Sequence, residues 1–344
     1  MKAEGVWFAG PGRVEVRPEE VREPGRHEVL VRATVSLISA GTEMLLYRGE
    51  IPTAEELGLD RPGRAGTYPF PVKYGYQVVG EVAAAGPAAA YGVGTPVFAV
   101  HPHQDLFVLD SRPGVNKGSS FVYPLPAGLS PERAAFTNLY GVALNAMLDA
   151  PVRVGDCVVV SGLGPVGLFL ARMARPVAGR LVLVDPADTR RAAAAAIGAD
   201  AVVSPAGAAD AIGDASDGRG ADLYFEASGA PPALQAAIAG TGQDGTVVVV
   251  SYYGTRRVDL LLAPEFHYRR IHLVSSQAGR LNPALTPRWT MPRRVGVAMA
   301  RLRDVDLDLV SHRFPLSDAA LAYETVDRPR GDVRGVLLTY GGTR

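Results

Sequence analysis

Residues 157–173 read Cys157-Val-Val-Val-Ser-Gly162-Leu-Gly164-Pro-Val-Gly167-Leu-Phe-Leu-Ala-Arg-Met173. The valines at 158–160 form an unbroken β-branched run, the pattern of a strand covered on both faces. The run enters a Gly-x-Gly-x-x-Gly turn, and a helix-period stretch carrying Phe169, Leu170 and Met173 leaves it. Each glycine has a separate task. Gly162 allows a tight turn, Gly164 lets the backbone approach a pyrophosphate, and Gly167 lets helix and strand pack closely. Pro165 and Val166 fall in the first helical turn, where unpaired N–H groups attract phosphate. A second strand-like run, 181–184, ends in Asp185, 23 residues beyond Gly162. That is close to the spacing of a ribose-binding acid. A purely structural strand–helix turn is the other reading of a glycine triplet, but here strand, helix and acid all stand in the expected places. The expected cofactor residues are Gly162, Gly164, Pro165, Val166, Gly167, Asp185, Arg190, Ser228 and Ser251. NAD is the expected cofactor and NADP the less favoured one, because Asp185 would repel an added 2′-phosphate; Arg190 and Arg191 soften that preference.

Composition narrows the remaining classes. The chain has 344 residues, enough for two domains, and its 47% hydrophobic and 20% charged residues are those of a globular protein. Formal net charge is zero, so electrostatic capture of nucleic acid or of an anionic membrane is not expected. The first residues carry no apolar leader, and no run approaches the length of a spanning helix, so a cytoplasmic setting is expected. A single cysteine, Cys157, excludes an internal disulfide and any multi-cysteine zinc site.

Outward from the glycine turn the pattern differs on the two sides. Up to about residue 125, short strand-like segments (14–16, 29–34, 78–83, 95–100) alternate with Gly and Pro punctuation, which suggests a small barrel. Ser130 followed by Pro131 is a helix-start signal, with a helical stretch over 134–147. After the turn, strands and helices alternate through Val250, as a parallel sheet covered on both faces requires. The run from Ile271 either finishes that sheet or returns to the first domain. The expected class is α/β, a doubly wound dinucleotide-binding unit beside a β-rich domain.

This order, together with Pro24-Gly-Arg-His-Glu-Val-Leu-Val, Ala40-Gly-Thr-Glu, Tyr74-Gly-Tyr-Gln-Val-Val-Gly-Glu-Val and Phe314-Pro-Leu-Ser-Asp-Ala, resembles the medium-chain dehydrogenase/reductase superfamily over essentially the whole chain. The resemblance implies a GroES-like catalytic domain (1–128), a Rossmann domain (129–270) and a return segment (271–344) that completes the first. Zinc-dependent members carry a cysteine, a Gly-His-Glu triplet and a further carboxylate or thiolate. The matching positions here are Ala40, Gly75-Tyr76-Gln77 and Asn138, so no metal is expected. His101-Pro-His103 stands where the family's structural zinc lobe would begin, and two histidines alone make a poor site. The pattern is similar to zinc-free alcohol dehydrogenases, including the bacteriochlorophyllide dehydrogenase type. It implies a zinc-independent, NAD(H)-dependent, homodimeric oxidoreductase that interconverts a secondary alcohol and a carbonyl of a small molecule. Enoyl, quinone or iminium reduction, and a non-catalytic dinucleotide-binding protein, stay open.

The resemblance places four residues in the reactive pocket. Thr42 matches a proton-relay hydroxyl; Tyr76 replaces a metal ligand; His101 matches a pocket-lining position; Lys73 lies three residues before Tyr76. Tyr76 is the expected donor to the reacting oxygen, with Lys73 or a protonated His101 lowering its phenol pKa. Each also has a bland reading: Thr42 bonded to backbone, Tyr76 filling space, His101 satisfied in a loop, Lys73 at the surface. Asn138, Tyr140 and Tyr252 are expected in the substrate pocket, shaped by loops 53–67 and 279–289. Glu226 and Ser228 are expected to line the dinucleotide crevice.

Overall fold

Among the described residues up to 125, short strand segments punctuated by Gly and Pro pair into an antiparallel assembly, with one helix between them. A computed structural model describes residues 1–52, 69–112, 121–328 and 331–341. The expected pocket loop 53–67 lies outside the described residues. β1 (Lys2–Gly10) and β2 (Arg13–Glu20) form a hairpin. β3 (Glu28–Ile38) precedes α1 (Thr42–Arg48), β4 (Val72–Lys73), β5 (Val78–Ala85), β6 (Pro96–Ala99), β7 (Leu106–Asp110) and β8 (Val122–Pro124). The expected helix near 134–147 is two pieces, α2 (Pro131–Ala134), capped by the Ser130 hydroxyl, and α3 (Thr137–Asp149).

The glycine turn then opens a repeating strand–helix unit. β9 (Cys157–Ser161), α4 (Pro165–Ala174), β10 (Arg180–Val184), α5 (Asp188–Ala194), β11 (Ala201–Val203), α6 (Ala208–Ala215), β12 (Ala221–Glu226), α7 (Pro231–Gly240), β13 (Thr241–Val249), α8 (Glu265–Tyr268) and β14 (His272–Ser275) follow in order. The six strands lie in the order β11-β10-β9-β12-β13-β14, all parallel. The first strand thus sits in the middle and the chain winds outward from it twice, the doubly wound arrangement that opens a crevice beyond the strands' carboxyl ends. Central β9 is buried along its whole length, which is why its valines need no alternation. Each such side chain contributes about 1.5–3 kcal/mol by burial.

α9 (Met291–Leu302), β15 (Val310–Pro315), α10 (Ala319–Asp327) and β16 (Gly335–Thr339) close the chain. β16 pairs with β3 at 35–38, while β7 pairs with the other half of the same β3 edge, at 28–32. The return segment therefore completes the mostly antiparallel sheet, which runs β15-β16-β3-β5-β6-β8. Cα packing divides the chain into one unit of 1–138 with 295–344, and a second of 139–294. The expected boundaries at 128/129 and 270/271 shift accordingly. Strand 272–275 adds to the edge of the parallel sheet through β13, so the return segment begins only after it.

Candidate functional site

In the second unit the three glycines separate by geometry. Gly162 has φ +87°, and a Cβ there would stand 2.5 Å from the Ser228 backbone. A Cβ at Gly167 would stand 1.8 Å from the Gly162 carbonyl oxygen. Gly164, by contrast, faces open space, and a Cβ there would have no heavy atom within 4 Å. It is the N-terminal cap of α4 and offers no side chain to the orphan N–H groups. Gly164, Pro165 and Val166 are half-exposed, whereas Leu163 and Gly167 on either side are buried. The open space at Gly164 and the unpaired N–H groups of the first turn of α4, to which Pro165 adds none, fit a dinucleotide pyrophosphate.

Asp185 is 1% exposed, and its two oxygens accept hydrogen bonds from Leu163 N (2.8 Å) and Ala187 N (2.9 Å). Its first task is therefore internal: it ties the glycine turn to the end of β10. The Arg190 guanidinium lies 3.8 Å from Oδ2. Glu226, expected in the crevice, is fully buried instead. Its Oε1 accepts from Ser228 N (2.7 Å) and from the Ser228 hydroxyl, and its Oε2 accepts from the Tyr253 hydroxyl (2.5 Å). Ser251 Oγ accepts from Gly229 N (2.8 Å). Ser228 and Ser251 thus shape the carboxyl ends of β12 and β13, with Glu226 as their anchor. Tyr140, expected in the substrate pocket, is a core residue, 5% exposed with its ring 5.0 Å from Phe169 of α4. Tyr252 is exposed.

In the first unit, the turn between β3 and α1 brings Ser39 and Thr42 to the Tyr76 hydroxyl, which hydrogen-bonds both. Asn138 Nδ2 donates to the Tyr76 carbonyl (2.8 Å). Tyr76, Thr42 and Asn138, far apart in sequence, are one cluster. Burial, with Glu43 and Tyr74 adding to it, pushes the Tyr76 phenol well above its ordinary pKa. That corrects the expectation of a lowered phenol. The two cations expected to lower it are committed elsewhere. Lys73 is buried on β4, 3.2 Å from Glu19, and donates to Gln104; burial lowers its ammonium and Glu19 opposes that shift. β4, which carries it, pairs with β1. His101 stacks on Phe107 (centroids 3.9 Å apart) and donates from Nδ1 to the Pro102 carbonyl (2.8 Å). Burial pushes its pKa down to about 3, so the ring is neutral at physiological pH.

Behind this cluster lies a polar chain that the sequence did not reveal. Glu43 Oε1 accepts from Ser39 N (3.1 Å), and Oε2 accepts from His103 Nε2 (2.9 Å) and the Tyr323 hydroxyl (2.7 Å). His103 Nδ1 meets Ser36 Oγ at 2.6 Å, and Ser36 Oγ meets the Tyr340 hydroxyl at 2.7 Å. Gly75, at φ +116°, makes room for it: a Cβ there would stand 2.7 Å from His103 Cδ2. Glu43 and His103 stood in quoted motifs, but only folding brings β3, α1, the 101–104 loop and the return segment together.

Among proteins of known activity, the chain is 30% identical over 281 residues to D-guloside 3-dehydrogenase of Shigella flexneri, covering 78% of this chain and 79% of that protein. It belongs to the medium-chain dehydrogenase/reductase superfamily. Residues 165–290 match the family described as zinc-binding dehydrogenase. The 2-desacetyl-2-hydroxyethyl bacteriochlorophyllide A dehydrogenase of Rhodobacter capsulatus is 26% identical over 335 residues, covering 94% of each chain. A Sinorhizobium meliloti 1021 structure described as a zinc-binding dehydrogenase bound to NADP superposes with a TM-score of 0.76 at 20% identity, covering 98% of this chain and 99% of its own.

The superfamily's zinc finds a poor donor set here. Ala40 has no ligand atom, Tyr76 offers a phenol that burial holds protonated, and Asn138 Nδ2 is turned to the Tyr76 carbonyl. Gln77 is an amide whose Nε2 reaches Leu37 O at 3.5 Å. Among the described residues no group of three or more His, Cys, Asp or Glu side chains is placed to hold a metal ion. These side chains do not fit a Zn²⁺ that takes thiolate, imidazole or carboxylate. Among them, too, no helix is long and apolar enough to cross a membrane.

Proposed function

We propose that this superfamily member is a zinc-independent, NAD(H)-dependent oxidoreductase interconverting a secondary alcohol and its carbonyl on a small molecule. The observation that carries the reading is the Tyr76 hydroxyl, held by Ser39 and Thr42 at a position where zinc-dependent relatives have a metal ligand. Bound NAD(H) supplies the hydride acceptor or donor; the protein must hold the oxygen and move one proton. A phenol raised by burial keeps its proton, so Tyr76 donates a hydrogen bond to the carbonyl oxygen and stabilises the charge that develops there. In reduction the alkoxide takes the Tyr76 proton while Thr42 or Ser39 hands its own to the phenol oxygen and is reprotonated from solvent; oxidation runs the same relay in reverse and releases the proton to solvent. His101, with its proton on Nδ1, leaves Nε2 as an acceptor, which orients an alcohol O–H without capturing its proton.

NAD is the favoured cofactor, on the carboxylate of Asp185 at the end of β10. Asn138 stands beside Tyr76 as a substrate-orienting amide, and Tyr252 is available to the substrate from its exposed position. The proposed assembly is a homodimer in the cytoplasm. Among the described residues β14 is the edge strand beyond β13, with Leu273 exposed, and Leu261, Leu262 and Tyr268 are exposed in the segment leading to it. Light scattering after size exclusion should give twice the chain mass.

The deciding experiment offers NAD⁺ with a methyl hexopyranoside, butane-2,3-diol and sorbitol, and NADH with the matching ketones, an enone and a quinone. Turnover confined to the alcohol–ketone pairs and indifferent to EDTA supports the reading. Zinc at one atom per chain with EDTA-sensitive turnover overturns zinc independence. Turnover only with the enone or quinone points to the reductase alternative. NADH binding without any turnover leaves a dinucleotide-binding protein.

A further inference from the structure

Ser36, His103 and Glu43 form a hydrogen-bonded series in the order of a hydrolytic triad. All three side chains are 0% exposed, so no acyl group can reach Ser36, and nucleophilic chemistry is excluded by access. The series has a direction nonetheless. A carboxylate only accepts, so His103 Nε2 and the Tyr323 hydroxyl must donate to Glu43. When the ring carries one proton, that proton is on Nε2; Nδ1 then accepts from Ser36, and Ser36 accepts from Tyr340. Every donor points toward Glu43.

Glu43 is also the connection to the Tyr76 cluster. Its Oε1 holds Ser39 N at 3.1 Å, four residues back along the chain, across the turn that presents Ser39 and Thr42 to Tyr76. We propose that Glu43 is the positioning residue of the Tyr76 cluster, with Tyr340, Ser36, His103 and Tyr323 orienting its carboxylate so that the Ser39–Thr42 turn holds the Tyr76 hydroxyl in one donor direction. This rests on the reading of Tyr76 as the donor to the reacting oxygen. A buried carboxylate is costly to retain unless fully hydrogen-bonded, and this one has three donors, more than an exposed helix residue requires. Its negative charge also works against a Tyr76 phenolate, which keeps the hydroxyl a donor.

The test is a double-mutant cycle on the purified full chain, assayed with NAD⁺ and whichever panel alcohol turns over. Glu43→Gln keeps the volume and one acceptor oxygen but gives His103 and Tyr323 an amide in place of a carboxylate. It should lower kcat about 10–100-fold, as small misplacements of catalytic groups do, with KM and NADH affinity within about three-fold. Glu43→Asp should recover part of the loss. Combined with Tyr76→Phe, Glu43→Gln should cost nothing further. A kcat within about three-fold of wild type, or losses that multiply in the double variant, overturns the proposal.

If Tyr76→Phe is silent while Glu43→Gln is not, the donor role of Tyr76 fails and Glu43 acts on Thr42 alone; the reverse pattern fails Glu43 and spares Tyr76. Should Glu43→Gln not fold, Tyr323→Phe keeps the packed ring, removes one donor to Oε2, and should run the same cycle at about three- to ten-fold. A substrate-free reading comes from tyrosine labelled at Cζ. The Tyr76 resonance, assigned by its absence in Tyr76→Phe, should move in Glu43→Gln or Tyr323→Phe, and an unmoved resonance counts against the proposal as firmly as unchanged kinetics.

Discussion

Gly167 lies against the Gly162 carbonyl oxygen so closely that a Cβ on residue 167 would come within 1.8 Å of it, while a Cβ on Gly164 would meet nothing. Two glycines three residues apart thus answer to different demands, one to packing and one to ligand approach. Gly167→Ala should destabilise the fold, since the obstructing atom is backbone and cannot swing away. Gly164→Ala should melt within a few degrees of wild type yet bind NADH at least about ten-fold more weakly, as one misplaced contact of about 1.4 kcal/mol implies. Thermal melts and NADH fluorescence titration separate the two. Unchanged NADH affinity in Gly164→Ala would remove the pyrophosphate from this turn.

Tyr76→Phe keeps the ring and deletes only the hydroxyl held by Ser39 and Thr42. Losing a preorganised donor to a developing oxyanion costs about 10²–10³ in kcat. We expect that loss, with NADH affinity unchanged. Turnover within about three-fold of wild type would mean that the ring only fills space and that the reacting oxygen takes its hydrogen bond from another donor.

Asp185 combines an electrostatic role with a structural one. Its charge should favour NADH over NADPH by about ten-fold or more, because a charge pair near 4 Å is worth about 1–4 kcal/mol in a partly screened setting. Asp185→Ser should narrow that ratio. It should also weaken both cofactors, since Leu163 N and Ala187 N lose their acceptor. Fluorescence titrations with both cofactors check this; equal wild-type affinities would dismiss Asp185 as the discriminating group.

His101 supplies a pH dependence with a definite sign. Its folded pKa of about 3 lies below the value of 6.5 for a free imidazole. A depressed folded value means the unfolded chain takes up the proton first, so the contribution is fully present above about pH 6.5 and is lost as pH falls toward 3. Denaturant midpoints measured down this range should fall in the wild type and fall less steeply in His101→Gln. Parallel curves for the two proteins would place the acid sensitivity elsewhere.

How much of this was legible in the chain depends on the range over which each signal acts. The Val158–Val160 run, the glycine turn and Asp185 lie within one strand–turn–helix–strand segment, so local periodicity and spacing were enough to read the parallel sheet and its dinucleotide turn. Tyr76, Thr42 and Asn138 could be gathered only through resemblance, and they do converge. Lys73 was misread because its neighbour in sequence, Tyr76, lies past the end of a two-residue strand; β4 pairs with β1 and delivers the ammonium to Glu19. Tyr140 was misread because a helix turns about 100° per residue, so two positions beyond Asn138 is another face.

The sequence by itself determined the α/β class, the order of the parallel strands' segments and the glycine turn, because each is set by backbone sterics and apolar periodicity over a few neighbouring residues. Only the tertiary structure decided that β7 and β16 share one edge of β3, that Asp185 is tied to Leu163, and that Glu43 meets His103 and Tyr323, residues 60 and 280 positions away. Burial and pairing of polar groups are properties of surfaces brought together by folding. No local pattern records which carboxylate will end beneath which tyrosine.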